Sequence, residues 1–444
     1  MPVDHVRDAA IDVLLRVFDK GDFLDQAVDK KLSKVDFAPR GKRFFTHLVY
    51  GTVRHAVLCD HVLKTIVKQP LASLPRPIIT IMRMGIFQSL FSSQVTFPAM
   101  VHTSVELAHK KGHAGTAKLV NACLRRAPKS LDEITLPSPE EDLPAYLACR
   151  YSMPRWLVDR WIGEFGADGA RGLCEVSNEE TEGSIRCNTL LCSMDELIKR
   201  LDNLEFKVEK RTIVPEELTL TSGGQLSSTP VFREGLFFQQ DPASMLPSHL
   251  LQPEPGDRVL DMCAAPGGKA THLAQLSNNQ AMIVASDLAY RRLRRLRENT
   301  VRLETSSVQV MCGDAKRPPF KPGSFSKVLV DAPCSGLGTL RRHPDLKLRL
   351  QPTESVKLAV VQRALLQSAV ELCENQGVLV YSVCTFTPEE TIEVRDDILA
   401  RGNVRLEDGP EWMSPWRIGQ GQYRTLPSVD GVDGFFLMRL RKCS

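Results

Sequence analysis

Two cysteines and an aspartate follow apolar runs in the last third of the sequence. Asp331 and Cys334 lie in VLVDAPCSGLG, and Cys384 lies in VLVYSVCTFTPEE. Both runs have the composition of buried strands, and the carboxyl ends of parallel strands meet at one edge of a sheet. The two thiols are therefore expected close together, where they could form a redox pair, bind a metal or act in covalent catalysis.

Small residues and acids follow the other predicted strands along the same edge. The run RVLDMCAAPGGKATHLAQL turns from a strand into a helix through Pro266, Gly267 and Gly268, which let backbone N–H groups approach a ligand closely. The turn is neither a dinucleotide-binding G-x-G-x-x-G nor a Walker loop. The next two runs end in Asp287 and Asp314, acids placed for ribose hydroxyls and for an amino group such as that of adenine. S-adenosylmethionine fits this pattern, and capping of the following helix is the alternative role for each acid.

Of the three uses of the thiols, covalent catalysis explains the most residues. A metal is disfavoured because no His or further Cys lies at ligand spacing, and a redox disulfide would not need a nucleoside pocket. A thiolate that adds to C6 of cytosine makes C5 nucleophilic towards a methyl sulfonium. Asp331 is suited to offset charge near N3 as the thiolate adds.

The patterns along the chain predict three kinds of structure. From about residue 250, short apolar runs alternate with helical segments, which predicts a doubly wound, parallel-rich α/β sheet. The first third repeats apolar positions at three- and four-residue intervals, as in a helical bundle. We therefore expect an all-α domain at 1–135, a small α+β domain at 146–235 and an α/β domain at 236–444.

Charge and composition add two expectations. Residues 1–130 contain 20 Lys or Arg against 10 Asp or Glu, whereas the rest has 37 against 43, so a basic helical part precedes an acidic remainder. This asymmetry fits a polyanion-binding module, or simply a solvated basic helical face. The 12 cysteines include no C-x-x-C pair, which argues against a disulfide framework. Because neither a membrane span nor a secretory signal is apparent, we expect a cytoplasmic protein.

Five segments resemble the successive motifs of the RNA cytosine-C5 methyltransferase family: LDMCAAPGGKATHLA, SDLAYRRLRR, CGDA, VDAPCSGLGTLRRHPDLK and YSVCTFTPEE. QQDPASMLP and DGVDGFFLMRL also match that family. The first 130 residues resemble the antitermination factor NusB, and this fusion is similar to bacterial methyltransferases that act on 16S rRNA. The resemblance covers nearly the whole chain. One departure is VCTF, where members of the family more often have TCS, but the cysteine is retained.

The resemblance implies a Rossmann-like S-adenosylmethionine methyltransferase domain and a role for each site residue. It implies that Cys384 attacks C6, that Cys334 assists release of the methylated product, and that Asp331 holds the base at N3. Lys269 is expected to act beside them. DNA cytosine methyltransferases use a Pro-Cys thiol instead, so local sequence alone would favour Cys334. The residues expected to line the cofactor site are Cys263, Ala264, Ala265, Pro266, Gly267, Gly268, Lys269, Asp287, Asp314 and Asp331.

The partner implied by the resemblance is unassembled 16S rRNA, bound by a monomer that needs neither a metal nor a membrane. Two alternatives stay open. One is a tRNA cytosine-C5 methyltransferase, which keeps the chemistry and changes the substrate. The other is an RNA-binding assembly factor with an inactive methyltransferase domain, although the chain retains Asp331, Cys334, Cys384 and the AAPGGK turn together.

Overall fold

The computed structural model describes residues 4–211, 213–222 and 226–443, which form two compact units. The first unit contains the residues up to Glu179 together with Leu340–Pro352, and the second contains the rest of the described chain. None of the helices within these ranges combines the length and the apolar character that a membrane span requires.

The first unit is built from helices whose apolar faces share one core, as the three- and four-residue periodicity predicts. Asp4 caps the first helix by accepting hydrogen bonds from the backbone N–H groups of Val6 and Arg7. The last long helix bends at Gly166, which has a φ of 72°. The helices are α1 (His5–Lys20), α2 (Leu24–Leu32), α3 (Pro39–Arg54), α4 (Ala56–Ile66), α5 (Arg76–Phe91), α6 (Phe97–Lys111), α7 (Ala114–Leu124), α8 (Leu143–Arg150) and α9 (Arg155–Val176).

The second unit opens with a small antiparallel sheet in the strand order β2-β3-β1-β4, in agreement with the α+β pattern of the sequence. Ser193 caps its first helix by accepting a hydrogen bond from Glu196 N. The elements are β1 (Gly183–Cys187), α10 (Met194–Asp202), β2 (Lys207–Lys210), β3 (Glu217–Ser222), α11 (Pro230–Arg233) and β4 (Phe237–Gln239).

The rest of the chain contains a larger mixed sheet and the helices that connect its strands. Along the chain, and including the short α15 that belongs to the first unit, the elements are α12 (Pro242–Leu251), β5 (Arg258–Asp261), α13 (Gly268–Leu276), β6 (Met282–Asp287), α14 (Tyr290–Arg302), β7 (Val308–Cys312), β8 (Phe325–Asp331), α15 (Leu346–Arg349), α16 (Glu354–Leu372), β9 (Cys373–Val383), α17 (Ile392–Ala400), β10 (Val404–Leu406), β11 (Arg417–Gly419), β12 (Gln422–Thr425), α18 (Pro427–Asp430) and β13 (Phe435–Lys442).

The strand order of this sheet is β11-β12-β13-β9-β8-β5-β6-β7, and β10 also pairs with β13. The neighbours from β9 to β7 are parallel, which confirms the predicted doubly wound, parallel-rich sheet. The strands on the β13 side pair antiparallel and extend this core. The chain order reverses between β5 and β8, the position where open α/β sheets bind ligands beyond the carboxyl ends of their strands.

Leu340–Pro352 separates β8 from α16 along the chain but belongs to the helical first unit. Leu24 N at the start of α2 donates a 3.3 Å hydrogen bond to Asp345 Oδ2. Lys347 is buried and donates a 2.6 Å hydrogen bond to Asn178 Oδ1, just after α9. The two contacts attach this segment to the start of α2 and to the residues that follow α9.

The small sheet is attached to the larger one through backbone carbonyls. Asn188, just after β1, donates 2.9 Å hydrogen bonds to Gly235 O and to Leu303 O at the end of α14. Gly235 has a φ of 77°, and a Cβ at this position would lie 1.8 Å from Arg302 O. Only glycine fits this close approach of two backbones.

We therefore predict that Gly235→Ala destabilises the protein by about 3 kcal/mol or more, because a left-handed φ and a backbone clash act together. Gly256→Ala is the matched control, since Gly256 has a φ of 87° and open space where a Cβ would lie. The control should lose only about 1 kcal/mol. Urea unfolding followed by fluorescence measures both values, and equal losses would contradict the packing argument.

Candidate active site

The loop after β5 has the backbone geometry that the sequence predicts for a ligand-binding turn. Gly267 N donates a 2.7 Å hydrogen bond to Ala264 O, and Gly267 itself has a φ of 106°. A Cβ on Gly267 would lie 3.2 Å from Leu296 Cγ, so glycine is favoured both by conformation and by space. Buried Arg186 donates a 2.6 Å hydrogen bond to Gly268 O, where α13 begins. The helix N-terminus is thereby held in place beside the loop.

Asp287, at the end of β6, is buried and already holds two backbone groups. Its Oδ2 accepts a 3.2 Å hydrogen bond from Ala265 N and its Oδ1 accepts a 2.9 Å hydrogen bond from Ala289 N. Asp314 Oδ1 accepts a 3.0 Å hydrogen bond from Lys316 N. Both acids therefore have local structural roles. Each carboxylate oxygen has two lone pairs, so these bonds leave acceptor capacity for a ligand.

Lys269 and Asp331 form a mostly buried ion pair at the edge of the sheet. Lys269 Nζ lies 2.7 Å from Asp331 Oδ2 and 3.2 Å from Ser244 Oγ, and Ser382 Oγ donates a 2.6 Å hydrogen bond to Asp331 Oδ1. Burial alone would lower the pKa of Lys269, but the carboxylates of Asp331 and Asp261 raise it above its usual value. Lys269 is therefore an ammonium at neutral pH.

The thiols of Cys334 and Cys384 are in contact, with 3.0 Å between their sulfur atoms. The hydrogen bond with Cys384 and burial raise the pKa of Cys334 well above its usual value, and the charges of Glu390 and Asp331 act in the same direction. Cys334 is therefore held as a neutral thiol near neutral pH. Burial also raises the pKa of Cys263, so that thiol too stays protonated.

Glu390, which the sequence prediction missed, holds the two thiol loops together. Its Oε1 accepts hydrogen bonds from Ser335 N at 2.9 Å and from Gln362 Nε2 at 3.0 Å. Its Oε2 accepts from Ser335 Oγ at 2.5 Å and from Thr387 Oγ1 at 2.9 Å. Ser335 follows Cys334 and Thr387 lies in the loop after Cys384, so one buried carboxylate fixes both loops. The only sequence signal was an acid close behind the Cys384 run, in TPEE.

The predicted site residues thus form two groups. Lys269 with Asp331, and Cys334 with Cys384, meet at the ends of neighbouring strands. The loop from Cys263 to Lys269 is joined to Asp287 through Ala265, and Gly313 N donates a 3.2 Å hydrogen bond to Asp287 O, which places the ends of β6 and β7 side by side.

Comparisons with known proteins give the class to which this arrangement belongs. Residues 248–441 match the family of 16S rRNA methyltransferases RsmB/F, residues 4–129 match the NusB family, and residues 153–227 match an RsmF/B-like ferredoxin-like domain. The fold and the site are therefore those of a methyltransferase with an added NusB-type helical part.

Individual relatives give a narrower assignment. The chain is 32% identical over 98% of its length to a probable ribosomal RNA small subunit methyltransferase B from Synechocystis sp., of which it covers 99%. The crystal structure of PH0851 is 27% identical, with a TM-score of 0.83 and 99% of each chain covered. The crystal structure of NSun6 from Pyrococcus horikoshii with SFG is 25% identical, with a TM-score of 0.59, and the match covers 66% of this chain and 98% of that chain. The chain belongs to the ribosomal RNA small subunit methyltransferase B family.

We predict that Glu390→Gln lowers the free energy of unfolding by about 2 kcal/mol, because a carboxamide cannot accept from all four donors. Alkylation of Cys334, mapped by peptide mass spectrometry, should become faster by about threefold or more as its loop loosens. Glu393→Gln is the control, since Glu393 makes an exposed 3.2 Å contact with Arg363, and such pairs contribute about 0–1 kcal/mol. An unchanged rate of Cys334 alkylation in Glu390→Gln would contradict the proposal that Glu390 holds the two cysteine-bearing loops together.

A second prediction concerns Asp261, which is fully buried beside the Lys269–Asp331 pair. Burial, together with the charge of Asp331, raises its pKa from 3.8 to about 8. The folded protein therefore favours the neutral acid, and this contribution to stability is present below pH 4 and is lost as the pH rises towards 8.

Asp261→Asn keeps a neutral group at every pH. Relative to the native protein, the variant should gain about 1 kcal/mol or more in free energy of unfolding between about pH 5 and about pH 8.5. Urea unfolding at the two pH values gives the difference. Asp168→Asn, at an exposed carboxyl, serves as the control. A pH-independent difference for Asp261→Asn would show that Asp261 is ionised in the folded state.

Proposed function

We propose that this chain transfers a methyl group from S-adenosylmethionine to C5 of one cytosine in 16S rRNA, through a covalent bond between Cys384 and C6. The observation that carries the proposal is the contact between Cys334 and Cys384 beside the Lys269–Asp331 pair. The relative's name, ribosomal RNA small subunit methyltransferase B, supports rRNA as the substrate. Transfer of a methyl group requires a donor, and the turn after β5 suits a nucleoside sulfonium.

The cofactor would lie against the backbone from Cys263 to Lys269. In this proposal Asp287 binds the ribose hydroxyls with its remaining lone pairs, and Asp314 accepts from the adenine amino group. Support comes from the left-handed turn at Gly267 and from the hydrogen bond between Asp287 and Ala265, which keeps the acid at the loop.

The first half of the reaction makes the carbon–sulfur bond. The thiolate of Cys384 adds to C6, the C5–C6 π electrons form a C4–C5 double bond, and the C4–N3 π electrons place negative charge on N3. In this proposal Asp331 holds the base at N3, and the ammonium of Lys269, hydrogen-bonded to Asp331, supplies positive charge beside that position. S-adenosylmethionine, when bound, would supply an electrophilic methyl group for C5 and a neutral thioether as the leaving group.

The second half restores the aromatic ring. The C5 proton must leave, and the electrons of the C5–H bond reform the double bond as the Cys384 sulfur departs. Cys334 is suited to both transfers, because its thiol proton is held next to the departing sulfur. It gives this proton to Cys384 and accepts the one from C5. Each methyl transfer releases one proton to solvent, the one that Cys384 lost at the start.

The two thiols should behave oppositely when each is replaced. Cys384→Ser should abolish the covalent RNA adduct and lower methyl transfer by about 10³-fold or more, because the hydroxyl is a much poorer nucleophile. Cys334→Ser should slow turnover while the adduct accumulates on denaturing gels. Cys443→Ser, at a cysteine near the end of the chain, is the control and should behave like the native protein.

The substrate is tested in the same assay. Protein-free 16S rRNA should be methylated much faster than assembled small subunits, because the base must leave its stack to reach the thiol. An adduct retained in Cys384→Ser and lost in Cys334→Ser would exchange the two roles. Methylation of tRNA but not rRNA would change the substrate, and RNA binding without any methyl transfer would identify an assembly factor.

The roles of the individual domains are also a proposal. We infer that residues 1–135 and 146–235 bind RNA, that residues 236–444 carry the chemistry, and that the protein acts as a cytoplasmic monomer whose reaction needs no metal. The basic balance of the first 130 residues supports the first point. Light scattering on the purified protein tests the monomer.

A further inference from the structure

Three side chains away from the thiols converge on one point. Glu216 directly precedes β3, His249 lies in α12 and His272 lies in α13. Glu216 Oε1 is 2.8 Å from His249 Nε2 and is also in hydrogen-bond contact with His272 Nε2. The three atoms lie within 4.8 Å of one another. Glu216 is 33 and 56 residues before the two histidines, so the folded chain, and not local sequence spacing, assembles the group.

The surroundings give this group a closed side and a more open side. Glu216 is 5% exposed and His272 is fully buried, whereas the His249 side chain is 12% exposed. The two imidazole rings are nearly perpendicular, at 83° with 5.0 Å between their centroids, and Trp412 packs edge-on against His249 at 5.2 Å. The rings are thus held with the same nitrogen of each directed at the carboxylate.

A carboxylate and two imidazoles form a donor set that proteins use for a tetrahedral metal ion with water as its fourth ligand. Nitrogen donors combined with one oxygen favour Zn²⁺ or Co²⁺ over Mg²⁺ and Ca²⁺, which prefer oxygen donors alone. Two neutral rings and one anion would also leave a divalent ion only partly neutralised, as in other sites with a bound water. His249, whose side chain is 12% exposed, is the member of the group nearest to solvent.

We propose that Glu216, His249 and His272 form a binding site for one divalent transition-metal ion, with Zn²⁺ as the best match. The ion would connect the small antiparallel sheet with α12 and α13. Because α13 begins at Gly268, His272 lies about one helical turn inside the helix that follows the proposed cofactor loop. Metal binding would therefore stabilise the native state near that loop without contributing to the thiol chemistry.

The alternative is that the carboxylate merely accepts two N–H hydrogen bonds. Glu216→Gln separates the two cases, because the side-chain carbonyl of glutamine still accepts hydrogen bonds but is a poor metal ligand. His249→Gln, on the more open side, is a second variant in case the buried change disturbs folding. His102→Gln is the control, since His102 is exposed on α6 in the first unit.

The test uses the full chain stripped with a chelator and titrated with Co²⁺ or Zn²⁺. We expect one equivalent of Co²⁺ to bind with a tetrahedral visible spectrum that lacks a thiolate charge-transfer band, and to quench the fluorescence of Trp412. We also expect Zn²⁺ to raise the melting temperature in proportion to the logarithm of its concentration above Kd. Trp412→Phe should remove the quenching while binding remains.

Glu216→Gln and His249→Gln should each weaken Co²⁺ binding by about 100-fold or more, with His102→Gln unchanged. Three results would overturn the proposal. One is the absence of saturable binding to the stripped protein. Another is equal affinity in native protein and both variants. The last is a thiolate charge-transfer band, which would place the ion at cysteines.

Discussion

The parallel pairing of β8 with β9 sets the geometry on which the candidate site depends. In this register Asp331 lies opposite Ser382, and their side chains are hydrogen-bonded. Each strand then continues into a loop that carries one thiol, so the backbone pairing brings Cys334 and Cys384 into contact. A slip of one residue in either strand would turn the side chains to the other face of the sheet and separate the thiols. The register of the backbone hydrogen bonds between β8 and β9 therefore determines the distance between the two thiols.

The charges at this edge are interdependent because few of them reach water. The carboxylates of Asp331 and Asp261 raise the pKa of Lys269, while burial and the charge of Asp331 raise the pKa of Asp261. Removing one member of such a pair leaves the other as an uncompensated buried charge, which commonly destabilises a protein by about 3–5 kcal/mol. The residues proposed to orient the substrate therefore also contribute to the stability of the protein.

The sequence predicted those features that follow from local patterns. Alternating apolar runs and helices gave the parallel core, and the rule that strands of such a sheet share one carboxyl edge placed Cys334 next to Cys384. Asp287 was expected at a ribose, and the structure shows its carboxylate accepting hydrogen bonds from the backbone of Ala265 and Ala289, contacts that depend on loop geometry. Glu390 and the Glu216–His249–His272 group were missed, because their partners come from distant segments. The antiparallel pairing around β13 was likewise outside any local pattern.

Leu340–Pro352 bears on how the protein is made. This segment is part of the helical first unit, yet the ribosome synthesises it only after β8 and the Cys334 loop have emerged. The shared core of the amino-terminal helices includes no residue of this segment, but the hydrogen bonds of Asp345 with Leu24 and of Lys347 with Asn178 can form only after the segment is made. Domains usually fold in the order of their synthesis. Here the unit that begins first receives its last segment only after β8 has been synthesised.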